Sequence, residues 1–449
     1  MSPVAFPKPQ SGELLRELGL FDTMSLVVGT VIGSGIFLVP AEVARSVPTP
    51  VGMLAVWVFG GVFTLLGALS LAELGAAIPE AGGIYTYIAR GFGPLAGFLC
   101  GWMLFTVATS GSIATLAVAL PIYVSALIPM TPVAAKAVSL AAVLAFTAIN
   151  VRGVRSGALV QNVLTTLKIG GLLGMIAVIF LLTGERPRAA AAVPDAPVGI
   201  AVFGVALVAV LWAYEGWHDV SFAAGEIRQP QRNFPRGLVA GTAIVIALYL
   251  TANLAYLRVL TPSEIAGSQR VALTAMERVA GVTGGKLLTA AIVCSILGAL
   301  NALVLAGPRA YYQMARDGLF LEPLGRVHPR WKTPVAAILL QAIWSCCLIL
   351  FIGGFSQLFT YVIFGGWIFY ALAVVSLIAL RKKEPALPRP FRVPGYPVVP
   401  ALFVAAAVAM VGNTLFARPR ESLIGLAFIA LGVPVFFLRR LLRGSTPVR

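Results

Sequence analysis

Two short stretches of the chain set flexible and polar residues inside long apolar runs. In Gly29-Thr30-Val31-Ile32-Gly33-Ser34-Gly35-Ile36-Phe37, three glycines and two hydroxyl side chains fall at the middle of a run over 22–45. Each glycine lowers helix stability by about 1 kcal/mol relative to alanine, so a break is expected there. In Trp212-Ala213-Tyr214-Glu215-Gly216-Trp217-His218-Asp219, a carboxylate lies beside a glycine inside a run over 199–225. A helix interrupted at such a point offers free N–H groups and the positive end of a dipole to a carboxylate. Its unpaired carbonyls accept from an ammonium, so a zwitterionic α-amino acid satisfies both. Two structural alternatives stand beside this chemistry. Gly29 and Gly33 form a GxxxG pair suited to helix packing. Glu215, near mid-bilayer, costs a few kcal/mol unless paired, protonated or wet, and neighbouring helices could satisfy it structurally.

Lys168, in Thr165-Thr166-Leu167-Lys168-Ile169, lies about halfway through a run over 157–183, too deep to reach a polar loop. It needs a partner, and the plainest role is a structural cation holding helices together. Enzyme chemistry has little to work with. His218 and His328 are the only histidines and lie far apart, and no metal-protease, nucleophile-elbow or phosphate-loop pattern appears. Cys100, Cys294, Cys346 and Cys347 all sit in apolar runs without ligand-type spacing, as packing residues would. No metal and no cofactor is expected.

The elements that position these residues are membrane spans. With 59% hydrophobic and 11% charged residues, the bilayer rather than water is the main solvent. The net charge of +16 would suit nucleic acid, but the basic residues are scattered through short loops and form no stripe, so no nucleic-acid partner is expected. Windows of about 19 residues predict twelve helices near 22–45, 51–77, 94–127, 132–150, 157–183, 199–225, 236–260, 285–308, 334–353, 356–380, 398–416 and 422–438. Their length, without period-two alternation, excludes a barrel. The connection over 260–284 reads as a polar amphipathic segment rather than a separate domain. With the N-terminus inside, about 22 of the 33 Lys and Arg face the cytoplasm, so both termini are expected there. The first twenty residues, with Lys8, Glu13, Arg16 and Glu17, lack the apolar core of a cleavable signal, so the first span would direct insertion.

The two interruptions fall in spans 1 and 6, each opening a set of five that crosses in the opposite sense. Broken helices at corresponding positions of two inverted halves point to a central transport site. The expected organisation is a cytoplasmic segment 1–21, repeats 22–183 and 199–380, two further spans over 398–438, and a cytoplasmic tail 439–449.

The chain resembles the amino acid–polyamine–organocation superfamily of permeases, and within it the bacterial relatives of the L-type amino-acid transporters. The resemblance rests on GTVIGSGIF in span 1, on AYEGW followed by GEIRQPQRNFPRG, on the ARDG-to-KTP loop, and on LRKKEPALPRPFRVPGYPVVP before span 11. It implies an all-α fold with the five-plus-five inverted repeat, discontinuous helices 1 and 6 (LeuT-like), and carrier-mediated amino-acid transport in the inner membrane, often by exchange. It also implies substrate-binding roles. Ser34 and Gly35 match the carboxylate site, Val31 and the carbonyls around Trp212 and Ala213 match the ammonium site, and Trp212 matches the aromatic that closes over substrate. The substrate-binding set is thus Val31, Ile32, Gly33, Ser34, Gly35, Trp212, Ala213, Tyr214, Glu215 and Gly216. Lys168 matches a lysine that hydrogen-bonds the unwound part of span 1, stands in for a sodium ion and couples occupancy to opening. Glu215 and His218 depart from the Gly and Asn of eukaryotic members, so substrate preference does not carry over. No disulfide-linked heavy chain is implied, because no cysteine lies in an outer loop.

These readings together lead to a secondary-active carrier of neutral L-amino acids, by exchange. Proton-coupled symport and a cationic amino-acid or polyamine substrate remain open beside it. A channel would normally need a ring of filter residues, and an enzyme a catalytic cluster.

Overall fold

A run of about 20 apolar residues satisfies its own backbone in lipid only as a helix or in a closed barrel, and this chain forms helices. The computed structural model describes residues 14–125, 127–184, 199–351, 355–417 and 419–442. Residues 1–13 of the expected N-terminal segment and 443–449 of the expected tail lie outside the described residues. In chain order the helices are α1 (Leu20–Val31), α2 (Gly35–Ser46), α3 (Pro50–Ala77), α4 (Ile84–Phe92), α5 (Pro94–Met103), α6 (Thr109–Val124), α7 (Pro132–Val151), α8 (Val154–Leu182), α9 (Ile200–Ala213), α10 (Pro230–Val259), α11 (Pro262–Gly267), α12 (Val271–Ala306), α13 (Pro308–Arg316), α14 (Val335–Phe351), α15 (Phe355–Lys383), α16 (Val398–Ala417) and α17 (Pro419–Leu442). A π-helical turn at Leu104–Ala108 joins α5 to α6, and a 3-10 helix at Asp219–Glu226 follows α9.

Among the described residues, nine helical stretches are long and apolar enough to cross a bilayer. The pair α1 and α2, bent by 42°, makes a tenth, and α9 and α14 are apolar but shorter, at 14 and 17 residues. They fall at the expected spans. The protein is therefore an all-α, multi-pass membrane protein.

Helix packing carries the signature of two five-span repeats. Exchanging each span for the one five places on maps several observed pairings onto observed pairings. Thus α3 packs on α9 as α1 packs on α10, α8 on α12 as α6 on α15, and α7 on α12 as α6 on α14. The pairs α3 with α10, α6 with α12 and α7 with α14 map onto themselves. With an odd number of spans in each half, the halves cross in opposite directions. Around this core, α16 and α17 are mostly lipid-facing.

The region 260–284, read from the sequence as a polar amphipathic segment, is helical for most of its length. Thr261 caps α11 with its hydroxyl, while the Glu264 carboxylate accepts from the Thr261 amide at 2.8 Å, a capping box with Pro262 in the first turn. That amide, and then Arg278 at 2.7 Å, hold the Glu264 carboxyl below the usual carboxylate range. Helix α12 already begins at Val271 and turns at Gly281. Its polar residues lie on a helix rather than in a loose connection.

Two ion pairs with buried carboxylates tie helices together at one end of the bundle. Arg309 at the start of α13 meets Glu226 in a bidentate pair, at 2.7 and 3.1 Å, with both side chains fully excluded from solvent. Glu73 of α3 accepts from Arg381 of α15 at 2.8 and 2.5 Å and from the Val393 amide at 2.7 Å. Removing one member of such a pair leaves the other charge buried and costs about 3–5 kcal/mol, whereas replacing both by apolar or neutral groups costs much less. Arg309→Ala should therefore lower the melting temperature of the solubilised protein sharply, and Arg309→Met combined with Glu226→Gln should recover much of the loss. Wild-type melting of Arg309→Ala would exclude the pair as a structural tie.

Candidate functional site

The two interruptions meet at the centre of the bundle. Helix α1 ends at Val31, and Ser34 sits at the N-cap of α2. Helix α9 ends at Ala213, and the chain passes through a turn at Tyr214 to His218 before the 3-10 helix. Gly35 lies against Ala213 so closely that a Cβ on it would come within 2.8 Å of the Ala213 Cα. Gly216 adopts φ 107°, a conformation that disfavours any side chain, and its carbonyl accepts from the Thr30 hydroxyl at 3.0 Å. Close packing is also part of the role of Gly29, where a Cβ would overlap the Gln161 side chain of α8. The packing alternative and the break thus coexist in one segment.

Carbonyls freed by the first break are satisfied by three other helices. The Lys168 ammonium of α8 donates to Gly29 O at 2.9 Å, Ile32 O at 2.7 Å and Ser295 O at 2.9 Å, which uses its full donor capacity. The Ser295 hydroxyl of α12 donates to Ile32 O at 2.9 Å. From α10, the Tyr249 hydroxyl lies 2.9 Å from Val31 O and 3.0 Å from Ala213 O, bridging the two breaks.

Between the breaks is a cavity. Of the residues expected to bind substrate, Val31, Gly33, Ser34, Gly35, Trp212, Ala213, Glu215 and Gly216 line it. Ile32 and Tyr214 do not. The Ile32 side chain is buried and its carbonyl turns to Lys168, while Tyr214 packs edge-on to Trp57 and its hydroxyl donates to Trp57 O at 3.3 Å. Lys168 is likewise behind the cavity wall, against the break rather than in the cavity.

The polar groups of the cavity divide by chemistry. Ser34 Oγ is buried without a partner, at the end of α2 whose first amides have no intrahelical acceptor. Glu215 Oε1 accepts from the Tyr370 hydroxyl of α15 and its Oε2 has no partner. His218 Nε2 lies 3.2 Å from Asp219 Oδ1.

Several lining residues were not anticipated: Leu104 and Ala108 of the π-helical turn, Thr109, Ser112 and Thr115 of α6, and Tyr370. The spacing of Thr109, Ser112 and Thr115 at three-residue intervals on one helical face was an available signal. Tyr370 left none, since a tyrosine within an apolar span reads as packing.

Helices crossing a bilayer in two opposed repeats, with both broken members facing one central cavity, define a membrane carrier rather than a soluble or barrel protein. The chain belongs to the amino acid permease family, whose match runs over residues 18–437. It is 33% identical over 428 residues to the serine/threonine exchanger SteT of Bacillus subtilis, covering 94% of this chain and 97% of that one. It is 32% identical to the human b(0,+)-type amino acid transporter 1, over 96% of this chain and 89% of the relative. The human cystine/glutamate transporter is also 32% identical, over 96% and 87%. Amino-acid transport is the activity of this family of membrane proteins.

The contact between the breaks yields a direct expectation. Gly35→Val would push the second break away from the first by forcing a side chain into Ala213, where the available gap is 2.8 Å. The variant should melt lower than wild type and lose stabilisation by added amino acids. Unchanged amino-acid stabilisation would mean that the junction tolerates separation.

Proposed function

We propose that the protein exchanges neutral L-amino acids across the cell's inner membrane by alternating access, with the substrate between the two breaks. The observation that carries this reading is the unpartnered Ser34 hydroxyl at the N-terminus of α2, facing a cavity that also holds the Val31 and Ala213 backbone. The first group suits a carboxylate and the carbonyls an ammonium. Exchange is supported by the name of the Bacillus subtilis relative, a serine/threonine exchanger. The repeats are taken as 22–183 and 199–380. Substrate is held by Val31, Gly33, Ser34, Gly35, Trp212, Ala213, Glu215 and Gly216, while Ile32 and Tyr214 act from behind the wall. Both termini lie in the cytoplasm, by the distribution of Lys and Arg. The chain has no catalytic role in this reading and no disulfide-linked partner subunit, in keeping with four free cysteines that all lie within helices.

Proteoliposomes loaded with unlabelled amino acid test this. Labelled alanine uptake should be saturable and stimulated by internal substrate, and neutral amino acids should compete. If arginine or lysine outcompeted every neutral compound, the substrate would be cationic, and uptake driven by an inward proton gradient without internal substrate would replace exchange by symport.

Bulk at the carboxylate site should block docking, so Ser34→Leu is expected to abolish binding in a protein that still folds. Trp212→Ala should weaken binding by about 1–3 kcal/mol, the scale of a large apolar contact. Wild-type affinity in either would remove that residue from the site.

Lys168→Ala removes the ammonium from the Gly29 and Ile32 carbonyls. If the lysine couples occupancy to movement of α1, exchange rate should fall more than affinity measured by binding. Equal losses in binding, rate and melting temperature would leave it a structural cation only.

A further inference from the structure

The division of polar atoms around the cavity leaves groups that an amino acid's zwitterionic head does not satisfy, and one of them, Glu215 Oε2, belongs to a side chain fixed in orientation by another residue. The substrate carboxylate takes the Ser34 end and the ammonium takes the carbonyls of the breaks. Glu215 remains. Its side chain is 14% exposed, and it is held in one orientation because Tyr370, itself buried, donates to Oε1. Oε2 is buried and unpartnered. His218 does not serve it, since its Nδ1 lies 3.9 Å from Oε1 and its Nε2 is directed to Asp219. Among the described residues, no Lys or Arg lines the cavity. The rest of the wall is apolar at Leu104, Leu116 and Leu303, carries small hydroxyls on Thr30 and α6, and includes Asp219 and His218, whose Nδ1 is also buried without a hydrogen-bond partner.

We infer that Glu215 is a specificity-determining residue, whose free oxygen selects amino acids with a hydroxyl on the side chain over apolar isosteres. This rests on the transport reading above. A buried oxygen without a partner costs free energy, which a substrate donor recovers and a methyl group does not. Sites built to pair a substrate hydroxyl reject the analogue that lacks it more strongly than an apolar pocket rejects an added hydroxyl. A hydroxyl both donates and accepts, so it pairs with Glu215 whether the carboxyl is ionised or protonated. A side-chain ammonium pairs only with the ionised form. Fixing by Tyr370 makes the discrimination directional, because the carboxyl cannot turn its occupied oxygen to the substrate without breaking that bond.

L-threonine and L-valine test this directly, being close in shape and differing by hydroxyl against methyl. In proteoliposomes of the full chain, threonine should inhibit labelled alanine exchange at a concentration about tenfold or more below that needed for valine. O-methyl-L-threonine, which keeps the oxygen and loses the donor, should fall toward valine. In Glu215→Leu the threonine-to-valine ratio should collapse to about one or invert, whatever the absolute rate. Should that variant fail to fold, the same ratio is read in Glu215→Met, which keeps the bulk and offers a substrate hydroxyl neither oxygen nor amide, and it should shrink there too. Stabilisation of purified protein against heat by threonine and valine gives the ratio where exchange is too slow to measure. Equal potency of threonine and valine in the wild type, or an unchanged ratio in the Glu215 variants, would overturn the inference while leaving alanine exchange, and hence the transport reading, intact. Absence of exchange or binding of any amino acid in the wild type would instead overturn the transport reading, and this inference with it.

Discussion

A backbone interrupted inside a bilayer has no water to turn to, so every carbonyl and amide freed by the interruption must find a partner in the protein or line a cavity. This constraint organises the centre of the molecule. Lys168, Ser295 and Tyr249 come from three different helices and converge on the carbonyls of residues 29–33. The break in span 1 is therefore not a defect in one helix. It is a shared element of α1, α8, α10 and α12, and any movement of α1 must exchange or carry these bonds.

The bonds are unevenly distributed along span 1. Its first half is tied to α8 at intervals: Asn162 donates to Asp22 at 2.6 Å, Thr165 to Ser25 O at 3.1 Å, and Lys168 to Gly29 O at 2.9 Å. On α8 these three residues share one face at three-residue spacing. A buried relay continues from there, with Gln161 donating to Thr165, Asn301 to Gln161, and Asn150 to Asn301. The half beyond the break, α2, instead rests on α9 and α11. The two halves of span 1 thus lean mainly on different helices, although both also touch α10 and α12.

Much of this was legible in the chain because lipid makes polarity conspicuous. Gly29 to Gly35, Glu215 and Lys168 stand out in runs that should be apolar, and the structure brings the two breaks together and sets Lys168 on the first. What the sequence did not reveal has equally physical causes. A π-helical turn over Leu104–Ala108 has no composition of its own, so the widened helix beside the cavity reads as an ordinary span. Tyr214 and Tyr370 have the same residue type and similar apolar surroundings, yet one faces Trp57 and the other Glu215. Which face a helix turns inward depends on its rotation about its axis, and nearly uniform hydropathy leaves that rotation to packing. The polar stretch before span 8, read only as amphipathic, folds as helix for most of its length, capped at Thr261 and braced by Arg278 on Glu264.

A carbonyl-bound ammonium differs from a carboxylate-bound one in what it can transmit. Had Lys168 been paired with a carboxylate, the pair would be strong wherever the two charges stayed close, and largely indifferent to backbone geometry. Carbonyl dipoles are different, since their attraction depends on orientation as well as distance. Three carbonyls converge on the Lys168 ammonium only while residues 29–32 hold their present turn against α12. Rewinding or tilting α1 would redirect Gly29 O and Ile32 O and leave a buried cation underserved, at a cost of several kcal/mol. The three bonds of the lysine therefore depend on the conformation of the break. Val31, whose carbonyl meets the Tyr249 hydroxyl, lines the cavity within the same turn, so the cavity wall and the partners of Lys168 share one short piece of backbone.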